Sequence, residues 1–262
     1  MPRKMAAKVL QIMPGLNRII KIRLPKEIRL PKGIRVMAKY LRDVDLYMPP
    51  SEGEEAKLWA LSTNFLEILY LDCLSKVETS GVPKVVLRPC RILPEIPLKT
   101  TTRNPDILHL SKLFDFDTYW KCDKQTRKRM ALDFLQEGLL EVAKIRGWDT
   151  KPFQVAYDKV LEKNIVNWRP WSRPVMRADR KYKAQIWCNY DSDKAEIFIV
   201  LFRRNEVVEK VLVTTVQPGD VWINDAVGRL EWLSEFELSL RSRDGKHAWK
   251  IDIQHNRSAA AS

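Results

Sequence analysis

After residue 182, apolar and polar side chains alternate with a period of two, and the links between successive runs are only a few residues long. The first run carries its apolar side chains at Tyr182, Ala184, Ile186, Cys188 and Tyr190. Turn signals follow at 191–194, 205, 217–220 and 244–245. A period of two is typical of β-strands, and parallel neighbours would need crossovers of about a dozen residues or more. The sequence therefore predicts a C-terminal antiparallel β-meander of about five strands.

Ahead of this meander, the first half of the chain combines one long helical pattern with short strands. Ser51 and Glu54 have the spacing of a capping box, and apolar side chains then recur at helical intervals, which predicts a helix over 52–77. Apolar residues within 85–93 indicate short strand bounded by prolines, and the proline- and threonine-rich residues 94–106 indicate a connection. We therefore expect an N-terminal α/β portion.

Two further helical patterns lie close together in the middle of the chain. The first covers 124–146 and is followed by Gly147, and the second begins near Thr150 with Pro152 in its first turn. So short a link predicts a helix hairpin, which we expect to pack against the C-terminal sheet. Gly138 stands within the first helix at a cost of about 1 kcal/mol relative to alanine. Another element should therefore approach closely at Gly138.

Together these elements predict an α+β fold with an N-terminal α/β portion, a helix hairpin and the antiparallel meander. With 262 residues and 45% hydrophobic content, the chain can bury one large core or two modest ones. The predicted divisions are a basic extended arm, the N-terminal portion, the hairpin with the sheet, and a disordered tail, at 1–36, 37–106, 107–254 and 255–262.

The net charge of +13 is concentrated at the start of the chain. Residues 1–36 hold ten basic side chains and one acidic side chain, a net +9, so the remaining 226 residues carry +4. The sequence Ile-Arg-Leu-Pro-Lys occurs at 22–26 and again at 28–32, and this spacing of prolines favours extended chain. Such an arm can follow nucleic-acid phosphates or an anionic membrane surface, or it can be a disordered or edge-strand tail. A third interpretation is a mis-assigned start, with translation beginning at Met37.

The sequence predicts neither a membrane span nor a bound cofactor. The most apolar stretch, 58–74, is interrupted by Asn64, Glu67 and Asp72, whereas a bilayer span needs about 20 apolar residues. The four cysteines stand far apart with no histidine at zinc-ligand spacing, and the nine glycines include no phosphate-binding loop. We expect a cytoplasmic protein with reduced thiols and no cofactor.

Two acidic segments resemble motifs of the haloacid-dehalogenase-type phosphatases. Asp115 and Asp117 lie in a Phe-Asp-Phe-Asp-Thr run that is similar to the nucleophile motif, and Asp220 with Asp225 resembles the acidic magnesium motif. The resemblance implies a magnesium ion held over a phosphate by these four carboxylates. The threonine comes one position early, however, and the family's sheet is parallel, whereas Asp220 lies within the predicted meander.

A structural role is the alternative for the first acidic segment, and we favour it. In this interpretation the run is strand-like, so Phe114 and Phe116 face the core while Asp115 and Asp117 face solvent. Tyr119 and Trp120 then pack ahead of the next helix. We therefore predict no catalytic residues.

A second candidate site is rich in tryptophan and arginine. Residues 168–183 contain six basic side chains, one acidic side chain and two tryptophans. The candidate binding residues are Trp168, Arg169, Trp171, Arg173, Arg177, Arg180 and Lys181. Guanidinium groups bind phosphates and carboxylates bidentately, and indoles stack on bases or on arginines. The segment is thus a contact surface for nucleic acid or protein, or an ordered linker held by arginine–tryptophan contacts.

These observations favour a non-enzymatic interaction protein, for example a stoichiometric inhibitor or an immunity-type partner. Nine tryptophans are many for this length, and aromatic and arginine side chains are enriched at protein interfaces. A protein is the partner we expect first. The alternatives are a nucleic-acid-binding protein that uses the arm and the tryptophan–arginine segment, and a magnesium-dependent phosphatase. The sequence does not indicate an oligomeric state.

Overall fold

A computed structural model describes residues 40–100 and 106–253. All of the described residues belong to one compact unit. The predictions for the basic arm at 1–36 and for the tail at 255–262 concern residues outside the described ranges. All four cysteines lie inside them and are free thiols.

The N-terminal half forms a mixed four-stranded sheet. Its elements are β1 (Asp43–Leu46), α1 (Glu54–Cys73), β2 (Lys84–Cys90), β3 (Leu98–Thr100) and β4 (Ile107–Leu113), and the strand order is β1-β2-β4-β3. Strands β1, β2 and β4 run parallel, and β3 is antiparallel to β4. This is the α/β portion that the sequence predicts. Strands β2 and β4 pair with each other from either side of residue 106. The domain boundary placed at that residue stays a prediction.

The first helix begins and ends differently from its prediction. Ser51 lies in a short 3-10 turn, Pro50–Glu52, and Gly53 with φ of 66° occupies the N-cap of α1. No side chain caps the helix, so the predicted capping box is wrong, because the turn places Ser51 outside the cap position. At the other end, Leu74 adopts extended backbone, so α1 ends at Cys73 and not at residue 77 as predicted.

Two details of the predicted N-terminal strand also differ. Ile92 and Leu93 lie outside β2 and are 85% and 45% exposed. The strand instead continues through Pro89 to Cys90. Proline is tolerated there because β1 ends opposite Leu87, which leaves only β4 beside that part of β2.

Helix α1 is the centre of the buried core. Its largest buried side chains are Trp59, Phe65, Leu66 and Tyr70, all 0% exposed. The Trp59 indole N–H donates to the carbonyl of Leu46 in β1 at 2.9 Å, and the Asn167 amide donates to the carbonyl of Phe65 at 2.9 Å. One helix therefore contacts the N-terminal sheet on one side and the C-terminal half on another.

The helix hairpin is present in the middle of the chain. A short helix, α2 (Phe116–Lys121), precedes α3 (Lys124–Arg146) and α4 (Lys151–Glu162). Asp123 caps α3 by accepting from two backbone N–H groups, and Gly147 ends it in the left-handed conformation with φ of 69°. A four-residue link then leads into α4, as predicted.

The hairpin packs mainly against α1, β2 and β4, and not against the C-terminal sheet as predicted. A Cβ atom at Gly138 would lie 2.8 Å from one Cδ atom of Leu87 in β2, so the close approach predicted at this glycine is confirmed. The hairpin lies against α1 and the N-terminal sheet because they present the apolar surface that it covers.

The hairpin meets the C-terminal sheet through a buried ionic contact. Lys128 of α3 is only 6% exposed, and its ammonium lies 2.5 Å from Asp191, which Lys124 also contacts at 2.8 Å. Burial acts to raise the pKa of Asp191, but the two lysines outweigh it and hold that pKa below its ordinary value. The carboxylate is therefore ionised and joins the two halves of the fold.

Two antiparallel sheets make up the C-terminal half. The larger sheet contains β5 (Asn167–Pro170), β6 (Val175–Met176), β7 (Tyr182–Tyr190), β8 (Ala195–Arg203) and β9 (Glu206–Val216). Its order is β5-β7-β8-β9, with β6 also beside β7, and every pair is antiparallel. The smaller sheet contains β10 (Arg229–Trp232), β11 (Glu237–Arg241) and β12 (Ala248–Asp252), also antiparallel. The predicted C-terminal antiparallel architecture is confirmed.

The end of the chain departs from a single meander in two ways. The turn signal at 217–220 leads into a helix, α5 (Asp220–Ala226), which separates the two sheets. The segment 230–240, whose alternation predicts one strand, is instead a hairpin of β10 and β11. Phe236 lies in the turn of this hairpin and is 40% exposed. No helix in the described part of the chain is both long and apolar enough to cross a membrane.

Replacing Gly138 with alanine tests whether its contact with Leu87 is tight. Overpacking costs about 1 to 3 kcal/mol, which exceeds the gain in helix propensity of about 1 kcal/mol. We expect Gly138→Ala to lower the free energy of unfolding by about 1 kcal/mol in urea titrations. Leu87→Val, which removes both Cδ atoms, should make the same alanine substitution less harmful, with a coupling energy of at least about 0.5 kcal/mol. A stabilised Gly138→Ala protein would contradict this.

Candidate functional site

Three of the seven predicted binding residues form side-chain hydrogen bonds or ion pairs within the chain. Arg169 forms an ion pair with Asp72 of α1 at 3.2 Å. The indole N–H of Trp171 donates to Asn224 of α5 at 3.1 Å. The third, Arg177, is held most tightly. These contacts support the structural interpretation of the segment as an ordered linker.

Arg177 lies in a dense set of contacts. Its guanidinium donates to both carboxylate oxygens of Asp179 and to the carbonyl of Glu235 at 2.7 Å. It also lies 4.3 Å from the ring centre of Tyr182 and 5.7 Å from that of Trp232. The hydrogen bonds from Arg177 lower the pKa of Asp179 to about 2. Arg177 therefore positions the segment before β7 and has little capacity left for a ligand.

Three other predicted residues project into solvent. Arg173, Arg180 and Lys181 are exposed, and none of them forms an ion pair with the described residues. Arg180 has a positive φ of 58°, and its N–H donates to the carbonyl of Arg177, which shows that the chain turns sharply just before β7. These three cations remain available to a partner.

The seventh residue, Trp168, belongs to an aromatic cluster on one face of the larger C-terminal sheet. We define the outer aromatic face as Trp168, Trp187, Phe198, Val200 and Phe202. The indole of Trp168 stacks on that of Trp187, with centroids 5.3 Å apart, and meets the Phe198 ring edge-on at 5.1 Å. Val200 and Phe202 are buried. None of the five residues of this face belongs to the main core.

Strand register explains how this face forms. Trp187 lies opposite Phe198, and both point away from the side occupied by Ile186 and Ile197, because side chains alternate along a strand. On β8, residues of both faces are therefore apolar. Ile197, Ile199 and Leu201 pack into the main core. Phe198 is partly buried, and Val200 and Phe202 on the same face are buried without belonging to that core.

Lysine and leucine side chains complete the outer aromatic face. The ammonium of Lys210 lies 5.1 Å from the Trp168 ring centre, and that of Lys183 lies 5.0 Å from that of Phe202. Leu212 of β9 stands opposite Phe198 and is 51% exposed. Two irregularities in the β8–β9 register, after Ile197 and after Leu201, keep Leu212 and Lys210 on this face.

Sequence inspection missed this face because Trp187 stands at a position where the alternation predicts a polar side chain, while residues 197–202 are apolar on both faces, as expected for a central strand. The signal that could have found it is the combination of large aromatic residues on the solvent face of adjacent strands. Only the pairing of Trp187 with Phe198 places them together, and that register is not a property of either segment alone.

The acidic segments that resemble phosphatase motifs have structural partners. Asp115 caps α2, accepting from the Thr118 N–H at 3.0 Å and from its hydroxyl at 2.6 Å, and these bonds lower the Asp115 pKa. Asp117 is paired with Arg91 at 2.9 Å. The predicted strand-like conformation is wrong, since a helix begins at Phe116, although the acids do face solvent.

The second acidic pair lies in a different element. Asp220 is the first residue of α5, and Asp225 is in its last turn. Within residues 40–100 and 106–253, no three acidic, cysteine or histidine side chains come together in a way that could hold a metal ion. The four aspartates are therefore not assembled into one magnesium site.

A second feature that sequence inspection missed is Glu67. This glutamate lies in the fourth turn of α1, and its Oε1 accepts the backbone N–H of Leu46 at 2.6 Å. It lines a cavity of about 380 Å³ together with Asn64 and residues of β1, of the following loop and of the first turns of α1. In the sequence, Glu67 and Asn64 were visible only as polar interruptions of an apolar helix.

The environment of Glu67 favours its neutral form. Part of the side chain remains exposed, yet the carboxyl is surrounded by protein, and this burial raises the pKa of Glu67 to about 8. The nearby carboxylates of Asp45 and Asp43 raise it further, while the Leu46 N–H and Lys84 act in the opposite direction. At neutral pH the group is therefore mostly protonated.

No protein-family model matches this chain, and comparison with curated proteins and with solved structures gave no match. Two features of the described residues remain as candidates for function. One is the outer aromatic face, and the other is the cavity at Glu67.

Substituting Glu67 with glutamine tests the state of this carboxyl. Between about pH 4.5 and 8 the folded protein holds a proton that the unfolded chain has released, so stability falls as pH rises through this window. Glu67→Gln keeps the oxygen that accepts the Leu46 N–H and cannot ionise. We expect the variant to gain stability relative to the wild type between pH 5 and pH 9, on the order of 1 kcal/mol or more. Urea unfolding at several pH values measures this, and parallel pH profiles would contradict it.

Proposed function

We propose that this chain is a binding protein without chemistry of its own, and that it docks a protein partner on the outer aromatic face. The observation that carries the proposal is a partly buried aromatic cluster, centred on Trp168 and Trp187, that lies outside the main core and borders the exposed Leu212. Aromatic side chains with an apolar centre are the usual high-energy contacts of protein interfaces. A stoichiometric inhibitor or immunity-type role is one form that such binding takes.

The ring geometry favours a protein over a nucleic acid. Base stacking needs free ring faces, but the Trp168 and Trp187 rings stack on each other, and Lys210 and Lys183 lie over the rings of Trp168 and Phe202. What the face offers is a mixture of ring edges and aliphatic groups such as Leu212, which suits complementary packing against apolar side chains.

The charges around the face indicate an acidic partner. Residues 167–217 contain ten basic and six acidic side chains, a net +4. The exposed cations Arg180 and Lys181 directly precede β7, and Lys210 lies on the face itself. An apolar centre with a basic rim is complementary to a partner patch with apolar residues surrounded by carboxylates.

A substitution on the exposed part of the face tests the proposal. A photo-crosslinking amino acid at position 212, introduced in cells of the native host, should form a discrete adduct with one protein, and the same amino acid at the exposed position of Ile92 should not. With that protein purified, Leu212→Asp should weaken binding at least about tenfold, because it places a charge in the apolar centre. Ile92→Asp, which changes an exposed apolar residue outside the sheet, is the matched control.

Two results would overturn the protein-binding proposal. One is equal affinity of the Leu212→Asp and Ile92→Asp proteins for the crosslinked partner. The other is binding of single-stranded RNA or DNA that falls steeply with added salt and is lost in Leu212→Asp, which would favour the nucleic-acid alternative. Circular dichroism of both variants shows whether the fold is retained.

A further inference from the structure

The cavity beside Glu67 lies where β1 ends and the chain turns into α1. Parallel strands place their ligand sites at this end, beyond the carboxyl termini of the strands. The walls are largely apolar and include Met48, Ala56 and Ala60, while Glu67 and Asn64 supply polar groups from α1. A volume of about 380 Å³ accommodates a small ligand.

Glu67 has no cationic partner within the described residues, because the nearby lysines already pair with other carboxylates. Lys84 of β2 contacts Asp43 at 2.7 Å and Asp45 at 2.5 Å, which satisfies its charge. At the rim of the cavity, Lys57 is exposed and pairs with Glu54 at 3.3 Å. Of the two carboxyl groups that line the cavity, Asp45 is paired with Lys84 and Glu67 is not paired with any cation of the described residues.

The surrounding electrostatics favour a cation in this cavity. Asp43 and Asp45 from β1 face Glu67, and the buried hydroxyl of Tyr190 from β7 lies close enough to feel its charge. The positive end of α1 is already complemented by two acidic residues of its first turn, Glu54 and Glu55. An anion would meet the carboxyl groups of Asp45 and Glu67 in the cavity, with Asp43 nearby, whereas a cation would be attracted by them.

We propose that this cavity binds a primary ammonium group carried on a short aliphatic chain. The ammonium donates hydrogen bonds to the Glu67 carboxylate and to the Asn64 side-chain oxygen, and the aliphatic chain lies against Ala56, Ala60 and Met48. The inference does not depend on the outer aromatic face, because α1 and β1 alone supply these groups.

Binding of such a group is coupled to a proton. Because Glu67 is mostly protonated at neutral pH, an ammonium ion can pair with it only after its proton leaves to solvent. The complex therefore releases a proton near pH 7, and its affinity rises as pH increases through about 8. A ligand held elsewhere on the protein would not show this linkage.

The ammonium has two chemical sources, a free amine or a lysine side chain of another protein. Calorimetry with n-butylamine and cadaverine probes the first, and Nα-acetyl-lysine methylamide probes the second. We expect a dissociation constant on the order of 1 mM for butylamine, as suits a ligand of five heavy atoms. Whichever probe binds more tightly identifies the source.

The decisive measurements are proton release and its loss on substitution. Titrations at pH 7 in phosphate and in Tris should differ in heat by an amount that corresponds to a proton released per bound amine. Glu67→Gln should weaken butylamine binding at least about tenfold and abolish proton release. Glu162→Gln, the same change at an exposed position of α4 that does not line the cavity, should bind like the wild type.

Neutral and anionic analogues complete the test. Butanol and butyrate have the same aliphatic chain, and neither should bind in the range where butylamine does. The proposal is overturned if no amine binds, if butanol or butyrate binds as well as butylamine, or if the Glu67→Gln protein retains wild-type affinity. Thermal unfolding of both glutamine variants checks that they are folded.

Discussion

The whole arrangement depends on the burial of one helix between two sheets. Helix α1 places Trp59 against β1, Tyr70 against Gln136 of α3, and Phe65 against Tyr190 of β7. Because apolar side chains surround α1, neither half of the protein has a complete core without it. This also explains why polar side chains on α1 matter. Each needs a partner inside the protein, and Glu67 finds one in the backbone N–H of Leu46.

The two candidate sites arise from opposite departures from ordinary packing. In the C-terminal sheet, β8 carries apolar residues on both faces, but only the face of Ile197 reaches the main core. The other face, with Phe198, is left partly open to solvent. At Glu67 the departure is reversed, since a titratable group stands where the surroundings are apolar. A partly buried aromatic cluster outside the core and a carboxyl in apolar surroundings are the features on which we base the two proposed binding sites.

Local patterns predicted much of the fold, and long-range pairing determined the rest. The period-two alternation and short turns were sufficient for antiparallel strands, and Gly138 signalled a close neighbour because glycine in a helix is costly. The capping box at Ser51 failed because the chain turns between Pro50 and Gly53. The outer aromatic face could not be predicted from either strand alone, since the register that pairs Trp187 with Phe198 joins residues of separate strands.

The two register irregularities in β9 also affect how the protein behaves at high concentration. An eleven-residue strand at a sheet edge, with Val207, Val208 and Leu212 about half exposed, is a template for adding strands from other molecules. Each bulge leaves a residue out of register and increases the local twist, which prevents an incoming strand from forming a continuous ladder. We therefore expect the bulges to hinder edge-to-edge association of this sheet between molecules.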